Sequence, residues 1–315
     1  MASPVLTITL NPALDVATTT ERLLPQQKLR CAEPRYDPGG GGTNVSRVIK
    51  ELGGVSTAFI CVGGAAGIHI RQMLETRGLD CEFWPAAGET RTSMTVMEAS
   101  TGLHYRFVLP GPEQPPEQAP LLLARLSELI AGGHRFVVAS GSLPPGIPAD
   151  FYGRLADEAR KHDAKLILDT HGVALEAALA HRPYMIRLNH YEAQELIGGE
   201  AEVAAHDLAR QLIERKVAEV AIVTIGEHGA IVATADRQVE IRPPHVTVHS
   251  SVGAGDSFVG ALTYALARDW PLEAAAGYGV AAAAAAVTTE ATELCRADKV
   301  AALYAQIASK TLAPV

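Results

Sequence analysis

From about residue 120 onward, short runs of branched apolar residues alternate with segments whose apolar residues recur at helical spacing. The strand candidates are Phe136–Ala139, Lys165–Asp169, Met185–Leu188 and Val220–Thr224. The helix candidates are Pro120–Ala131, Phe151–His162, Glu192–Leu196 and Val203–Arg215. A crossover helix returns the chain to the starting edge of the sheet, so consecutive strands run parallel. This alternation predicts an α/β fold with a doubly wound, mostly parallel sheet and helices on both faces.

The first third of the chain adds a β-rich insertion to the same alternation. It predicts two buried strands and two helices, in the order Val5–Leu10, 43–52, Thr57–Val62 and about 68–76. Residues 93–98 and 105–109 flank a short turn and are typical of a hairpin. Together with residues 16–37, this hairpin predicts a small second sheet. From Gly255 onward the chain is Ala-rich, which favours helices.

The composition fits this fold and narrows the function. Hydrophobic residues make up 48% of the 315 residues and aromatic residues only 5%, as expected for helices packed on a parallel sheet. With a formal net charge of −8, the chain lacks the broad positive field of a nucleic-acid-binding protein. Any anionic substrate must therefore be held by local basic residues or by helix N-termini.

Cysteine usage and hydropathy bear on the location of the protein. Its four cysteines form no CxxC pair, which predicts reduced thiols and a cytoplasmic protein. The first residues lack a basic region followed by an apolar one, so we expect no signal peptide. The longest apolar stretch, Gly279 to Val287, is far shorter than the roughly 20 residues that span a bilayer, so we expect no membrane partner.

The segment Ser250-Ser251-Val252-Gly253-Ala254-Gly255-Asp256-Ser257 carries the strongest chemical signal. Small residues precede an apolar run with helical spacing, so the first backbone N–H groups of a helix are open to an anion. Asp256 falls in the first turn, where its carboxylate could accept a proton from a hydroxyl that attacks a phosphoryl group. The alternative is a plain turn followed by an acidic helix start.

Two further segments have the composition of ligand-binding loops. The run Pro38-Gly39-Gly40-Gly41-Gly42-Thr43-Asn44 opens a helix, and its glycines allow a close approach of backbone to ligand. Asp15 follows the first strand, where the loops of a parallel sheet line the ligand crevice. Lys28, Arg30 and Arg91 are candidates for a substrate phosphate. A flexible turn, a surface Asp and solvated charges are the respective alternatives.

A dinucleotide-binding turn is a competing interpretation of Gly63-Gly64-Ala65-Ala66-Gly67, which follows a strand and precedes a helix. The segment is not GxGxxG and does not belong to the first βαβ unit, which argues against an NAD-dependent oxidoreductase. The histidines lack metal-ligand spacing, so we expect no zinc site.

Taken in order, the motifs TLNPALD, PGGGGTNV, TRTSM, SGSLPPG, VTIGEHGA and SSVGAGDS resemble the PfkB branch of the ribokinase-like sugar kinases. The resemblance covers nearly the whole chain. It implies one ribokinase-like kinase domain over residues 1–315, with a β lid formed by about 16–37 and 90–109 that also makes a homodimer. Gly41 and the pieces KLRC and YRFVLPG are most similar to the ATP-dependent 6-phosphofructokinases. The implied reaction transfers the γ-phosphoryl group of ATP to the C1 hydroxyl of fructose 6-phosphate.

The resemblance also implies a role for each matching residue. Asp256 matches the catalytic base, and Gly253, Ala254 and Gly255 match the anion hole. Sugar contacts are implied at Asp15, Gly40, Gly41 and Asn44, and surroundings of the sugar phosphate at Lys28, Arg30, Arg91 and Ser140. Nucleotide contacts are implied at Arg187, Asn189, Thr224, Gly226 and Gly229. Glu192 is implied to help organise Mg²⁺ through water.

Departures from the family pattern keep alternatives open. Arg187-Leu188-Asn189 replaces Lys-Pro-Asn, and Arg lacks the compact geometry of an ammonium group. Residues 289–293 replace a pattern with Asn and Gly, so there is little support for a monovalent-cation site at Ser250 and Val252. The alternatives are tagatose-6-phosphate kinase, 1-phosphofructokinase or nucleoside kinase activity, or a non-catalytic nucleotide- or sugar-binding regulator.

Overall fold

The structure is a computed structural model that describes residues 5–198, 203–289 and 293–311, with side chains described up to residue 307. Its strands are β1 Val5–Thr9, β2 Ala13–Thr20, β3 Arg35–Gly39, β4 Ser56–Val62, β5 Asp80–Pro85, β6 Arg91–Glu98, β7 His104–Val108, β8 Phe136–Ser140, β9 Lys165–Asp169, β10 Met185–Asn189, β11 Val220–Thr224, β12 Ala230–Ala233, β13 Gln238–Arg242 and β14 Ala308–Thr311. Its α-helices are α1 Gly41–Glu51, α2 Gly64–Thr76, α3 Gln118–Ala131, α4 Phe151–Lys161, α5 Gly172–Leu179, α6 His190–Ile197, α7 Ala205–Glu214, α8 Ala254–Leu266, α9 Leu272–Ala286 and α10 Ala297–Tyr304.

The large sheet has the strand order β14-β13-β12-β11-β10-β9-β8-β1-β4-β5. All pairs from β11 to β5 are parallel, whereas β12, β13 and β14 add antiparallel strands at one edge. The predicted doubly wound, mostly parallel sheet is therefore confirmed. The winding direction changes between β1 and β8, which is the position where open α/β sheets bind ligands at the carboxyl ends of their strands.

Both faces of the large sheet are buried under helices, which explains why its central strands, such as β1, β8 and β11, are mostly apolar. On one face, Leu6 and Ile8 of β1 join the core with residues from α3, α4 and α7. On the other face, Val5 joins the core with residues from α1, α8 and α9, among them Phe258. This packing fixes the starts of α1 and α8 on the same side of the sheet.

A second sheet of four strands, in the order β3-β2-β6-β7, projects from the main one and is called the lid sheet here. It contains the predicted hairpin, as β6 and β7 pair antiparallel. The expected segment 16–37 is only partly strand, because residues 21–34 form an irregular loop between β2 and β3.

The structure differs from the sequence predictions at element ends and at the antiparallel edge. α1 and α2 start two and four residues earlier than predicted, because glycines can take part in a first turn that packing fixes. β12, β13 and β14 lie outside the predicted set, and so do α5 and the strand β5 at the opposite edge of the sheet. At the Gly63–Gly67 turn, the Glu89 carboxylate accepts N–H bonds from Ala65 (3.1 Å) and Ala66 (2.7 Å), so the chain itself supplies the anion at this helix N-terminus.

Among the described residues, no helix has both the length and the apolar character needed to cross a membrane. The four cysteines are free thiols, and two of them, Cys61 and Cys295, are buried.

Candidate active site

The glycine run brings the start of α1 against the ends of β1 and β8. A Cβ atom at Gly41 would lie 2.1 Å from Ser140 Oγ, and one at Gly42 would lie 2.4 Å from the Ile8 carbonyl oxygen. Gly40 has φ +115°, a conformation that favours glycine. The run is therefore required by close packing of backbone at the point where the winding direction changes, and this packing directs Asn44 into the cleft.

The second glycine segment starts α8 in the same cleft. Gly253 precedes the helix in the left-handed conformation, with φ +75°. The first intrahelical bond of the segment runs from Ser257 N–H to the Gly253 carbonyl oxygen at 2.8 Å, so the N–H groups of Ala254, Gly255 and Asp256 come before the helical ladder. The macrodipole of α8 adds positive potential at these amides.

Asp256 is fixed by a neighbouring amide rather than by a cation. Asn44 Nδ2 donates to Asp256 Oδ2 at 2.8 Å, and Asn44 Oδ1 accepts from Arg47 Nη1 at 2.8 Å. Burial raises the pKa of Asp256 to about 6, with a further increase from the negative charge of Asp169; the Asn44 bond and Arg187 act in the opposite direction. The carboxylate is thus a stronger base than an ordinary Asp and is still largely ionised at pH 7.

Asp15 lies on the lid sheet beside the glycine run, where a Cβ atom at Gly39 would be 2.1 Å from Asp15 Oδ2. Burial raises the pKa of Asp15 to about 6, although Arg91, Arg106 and Arg47 lower it. The charge of Asp15 also contributes to the raised pKa of Asp256, so the two carboxylates face the same space. A pair of this kind can accept hydrogen bonds from sugar hydroxyls and a proton from the reacting one.

The three basic residues singled out in the sequence have different surroundings. Arg91 is half-buried, and its guanidinium donates to the carbonyl oxygens of Asn11 (3.1 Å) and Leu109 (3.3 Å). Lys28 and Arg30 are exposed in the 21–34 loop and form no ion pair among the described residues. The fold therefore brings Arg91 to the cleft and leaves Lys28 and Arg30 on the surface of the lid.

Arg187 lies next to the start of α8. A Cβ atom at Gly255 would be 2.9 Å from Arg187 Nη1, and Arg187 Nη2 donates to Thr224 Oγ1 at 2.8 Å. Arg187 Nη1 also donates to Asp169 Oδ1 at 3.3 Å, and Ser140 Oγ donates to Asp169 Oδ2 at 3.1 Å. A fixed positive charge therefore borders the free amides of α8.

The other predicted nucleotide residues lie at the ends of β10 and β11. Thr224 ends β11, and Gly226 and Gly229 have φ +54° and +96° around a single 3-10 turn. Asn189 and Glu192 form a capping box on α6, in which Asn189 Oδ1 accepts from Glu192 N–H at 2.9 Å and Glu192 Oε2 accepts from Asn189 N–H at 2.8 Å. The N-x-x-E motif thus has a structural role whatever else it binds.

The segment considered for a monovalent cation lies just before α8. Val252 N–H donates to Ser250 Oγ at 3.2 Å, and the Ser250 N–H donates to the Val287 carbonyl oxygen at 3.2 Å. Of the unusual segment 289–293, residues 290–292 lie outside the described part of the chain. Glu293 accepts from Arg35 at 2.8 Å and so connects this region to the lid sheet.

Sequence reasoning missed four charged residues of the cleft. Asp37 is 1% exposed and pairs with Arg47 (3.5 Å) on α1, which in turn holds Asn44. Arg106 lies on the same face of the lid sheet as Asp15, and Asp169 ends β9. A sequence signal exists for Asp169, because the carboxyl end of a predicted parallel strand faces the ligand crevice. The face of Arg106 follows from alternation only once the register between β2, β6 and β7 is known.

The chain is similar to known proteins along nearly its full length. The model of the pfkB family of carbohydrate kinases matches residues 6–299. The ATP-dependent 6-phosphofructokinase isozyme 2 of Mycobacterium tuberculosis is 40% identical over 309 residues, which is 98% of this chain and 91% of the relative. The isozyme 2 of Escherichia coli is 36% identical over 304 residues, covering 96% of this chain and 98% of the relative.

Solved structures agree with this assignment. Escherichia coli phosphofructokinase-2 in complex with potassium has a TM-score of 0.91 at 36% identity, covering 96% of this chain and 99% of that one. The same protein has been solved with fructose-6-phosphate (TM-score 0.89) and in a tetrameric inhibited form (TM-score 0.88), each 35% identical to this chain over 96% of its length and covering 99% of the solved one. The family indicated by the motif order is confirmed, and the chain belongs to the pfkB family of carbohydrate kinases.

Proposed function

We propose that this chain transfers the γ-phosphoryl group of ATP to the C1 hydroxyl of fructose 6-phosphate. The observation that carries the proposal is the Asp256 carboxylate, which lies at the start of α8 and accepts a 2.8 Å hydrogen bond from Asn44. A proton acceptor beside free helix amides has the two parts that phosphoryl transfer to a hydroxyl needs. The names of the relatives, and the fructose-6-phosphate bound to one of them, support this sugar.

Asp256 acts as the general base in this proposal. Its pKa of about 6 leaves it ionised at neutral pH, and the Asn44 bond directs the carboxylate toward the acceptor hydroxyl. The loose transition state of phosphoryl transfer places most of its charge on the moving group, so a weak base suffices. The amides of Gly253, Ala254 and Gly255 stabilise that charge, each donor contributing roughly 3 kcal/mol.

The sugar phosphate occupies the space between the lid sheet and the start of α1. Asp15 and Asn44 bind its hydroxyls, and the backbone at Gly40 and Gly41 packs close to its ring. Arg91 and Ser140 lie on the phosphate side. Because Lys28 and Arg30 are exposed on the 21–34 loop, we propose that they reach the phosphate when the loop or a second copy of the chain brings them to it.

The nucleotide side has donors suited to ATP and Mg²⁺. Arg187 lies against Gly255 at the start of α8 and donates to Thr224, and β10 ends at Asn189. The turn from Gly226 to Gly229 follows β11, and a Cβ atom at Gly226 would meet nothing within 4 Å, which leaves room for a nucleotide. Mg²⁺ favours one or two carboxylates plus phosphate oxygens, and Glu192 keeps one carboxylate oxygen outside its capping box, which fits a contact through water. When bound with ATP, Mg²⁺ neutralises charge on the phosphates. Ser250 and Val252 stay weak candidates for a monovalent cation.

A coupled assay of ADP release tests the proposal. We expect kcat/KM to be highest with fructose 6-phosphate when it is compared with tagatose 6-phosphate, fructose 1-phosphate and a nucleoside. A preference for another phosphorylated sugar would keep the kinase but replace the substrate. A preference for an unphosphorylated acceptor would remove the phosphate role of Lys28, Arg30 and Arg91. ADP release that no sugar stimulates would favour the non-catalytic regulator.

We also propose that the lid sheet forms a homodimer. Tyr36, Val16, Met94 and Phe107 pair in register across its four strands and share one face. Tyr36, Met94 and Phe107 are 43%, 42% and 49% exposed, an unusual density of large apolar side chains on one small surface. The same face of a second copy would cover this row, since an isologous contact buries identical patches.

A further inference from the structure

The carboxylate of Asp169 joins three neighbouring strands at the edge of the sheet that faces the cleft. Asp169 is the last residue of β9, which lies between β8 and β10. One oxygen accepts from Ser140 Oγ on β8 at 3.1 Å, and the other accepts from Arg187 Nη1 on β10 at 3.3 Å. Its side chain is 13% exposed, so water competes little for these contacts.

Arg187 depends on its neighbours for a fixed position. Besides Asp169, its guanidinium contacts Thr224 Oγ1 at 2.8 Å and lies against Gly255. The Nε atom is buried without a hydrogen-bond partner among the described residues, so the guanidinium is held through its two Nη atoms. A long side chain held at two points loses its orientation when the charged partner is removed, because the rotamers of arginine differ little in energy.

Asp169 and Arg187 fit together because the cation is an arginine. The guanidinium fork can contact an acid, a hydroxyl and an anion site at the same time, whereas the single ammonium of a lysine concentrates its donors at one point. The acid also offsets part of the cation's charge, so Arg187 can stay in place beside Gly255 when the cleft holds no anion.

We propose that Asp169 is a positioning residue of this kinase: it holds the Arg187 guanidinium beside the free amides of α8, where that charge meets the transferred phosphoryl group. The proposal rests on the phosphoryl-transfer function proposed above. Asp169 acts through Arg187 and by contact with Ser140, not by contact with the reacting atoms.

The variant Asp169→Asn tests the proposal in the full-length chain. Its side-chain oxygen can still accept from Ser140, whereas its amide cannot replace the charged contact to Arg187. We expect kcat to fall about tenfold or more, since a small misplacement of a charged group near the reaction has effects of this size. KM for the sugar phosphate should change less than about threefold, because the Ser140 contact persists.

A double-mutant cycle separates positioning from a general structural effect. In an Arg187→Met background, Asp169→Asn should lower kcat less than about twofold, because the residue it positions is already absent. Losses that multiply in the double variant would overturn the proposal, and so would a wild-type kcat in Asp169→Asn. Asp169→Glu keeps the charge and should recover part of the lost kcat. If Asp169→Glu folds normally and its kcat is no higher than that of Asp169→Asn, the charge is not what matters and the proposal is overturned.

Asp157→Asn is the matched control, because Asp157 pairs with Arg160 at 2.9 Å on the surface of α4. It should keep wild-type kcat, which shows that the loss of any Asp–Arg pair does not suffice. Wild-type turnover on the sugar panel is measured first. If fructose 6-phosphate is not the substrate, the proposed function fails alone, and the same cycle is run with whichever sugar is phosphorylated.

Discussion

At the scale of single residues, the cleft contains two carboxylates whose ionised form is disfavoured by their surroundings. Asp256 and Asp15 both have a pKa of about 6, and burial is the main cause for each. The nearby arginines lower these values without cancelling the effect of burial. A carboxylate in this state is available as a base at neutral pH, and the protein is destabilised by keeping its charge in a shielded place.

We expect Asp256→Asn to lower kcat at least about a hundredfold, since it removes the proton acceptor and leaves the Asn44 contact possible. Steady-state kinetics with saturating substrates measure the change. Asp236→Asn, at an exposed turn before β13, is the control and should keep its full kcat. Near-normal turnover of Asp256→Asn would remove Asp256 from its proposed role.

The same substitution should stabilise the folded state above pH 6. The folded pKa of Asp256, about 6, lies above its ordinary value of 3.8, so the folded chain takes up this proton first as pH falls. The contribution of this group to the free energy of unfolding of the wild type therefore increases as the pH falls from about 6 to about 4. Urea unfolding should give Asp256→Asn a larger free energy of unfolding than the wild type at pH 7, and this difference should shrink toward pH 4. A gap independent of pH would contradict the cause given for the shift.

At the scale of elements, helix starts decide where the site forms. α1 begins where two strands of opposite winding direction separate, and α8 begins beside it, so two helix N-termini point into one cleft. Their glycines are required by contact as well as by conformation. The Gly41 position leaves no room for a side chain, because Ser140 lies directly against it.

We therefore expect Gly41→Ala to displace α1 and to destabilise the fold by about 1–3 kcal/mol, the usual cost of overpacking. Activity should fall further than stability alone explains, because Asn44 moves with the helix. Gly277→Ala in α9 is a matched control, since its nearest neighbours would be side-chain atoms of Tyr304 and Ile307 at 3.3 and 3.4 Å. Thermal unfolding and kcat/KM of both variants measure the difference; equal effects would argue against the contact with Ser140.

At the scale of the whole molecule, the lid sheet has two chemically distinct faces. Strand alternation directs Asp15, Asp37 and Arg106 to one face and the Tyr36–Phe107 row to the other. One face lies toward the cleft, and the other exposes large apolar side chains that a partner surface would bury. A dimer through this row would link the assembly of the protein to the position of its lid.

Phe107→Glu should weaken that dimer, since it puts a charge into the apolar row that the second copy would cover. Sedimentation velocity should show a shift toward monomer at low micromolar concentration. Leu121→Glu, at a position on α3 that is 55% exposed, is the control and should leave the oligomeric state unchanged. Unaltered association of Phe107→Glu would place the interface elsewhere.

How much could be predicted from the sequence depends on how local the cause is. The strands β8 to β11 were predicted because an apolar run between helices is a local signal, and the start of α8 because Gly-Ala-Gly-Asp is one as well. The end of a predicted parallel strand could have pointed to Asp169 as a cleft residue, but its role could not be predicted, because that role comes from Ser140 and Arg187, which lie 29 residues before it and 18 residues after it. The capping role of Glu192 is local and could have been predicted from the N-x-x-E spacing, but the same residue was assigned to Mg²⁺ instead.

The sequence by itself determined the parallel α/β architecture, the family and the two glycine segments. The reason is that the periodicity of apolar residues and the conformational freedom of glycine are local properties of the chain. Only the tertiary structure decided that Asn44 contacts Asp256, that Arg187 is held by Asp169 and that Arg106 shares a face with Asp15. These relations depend on strand order and register, which bring distant residues together. They also depend on burial, which is the main cause of the raised pKa of about 6 at Asp15 and Asp256.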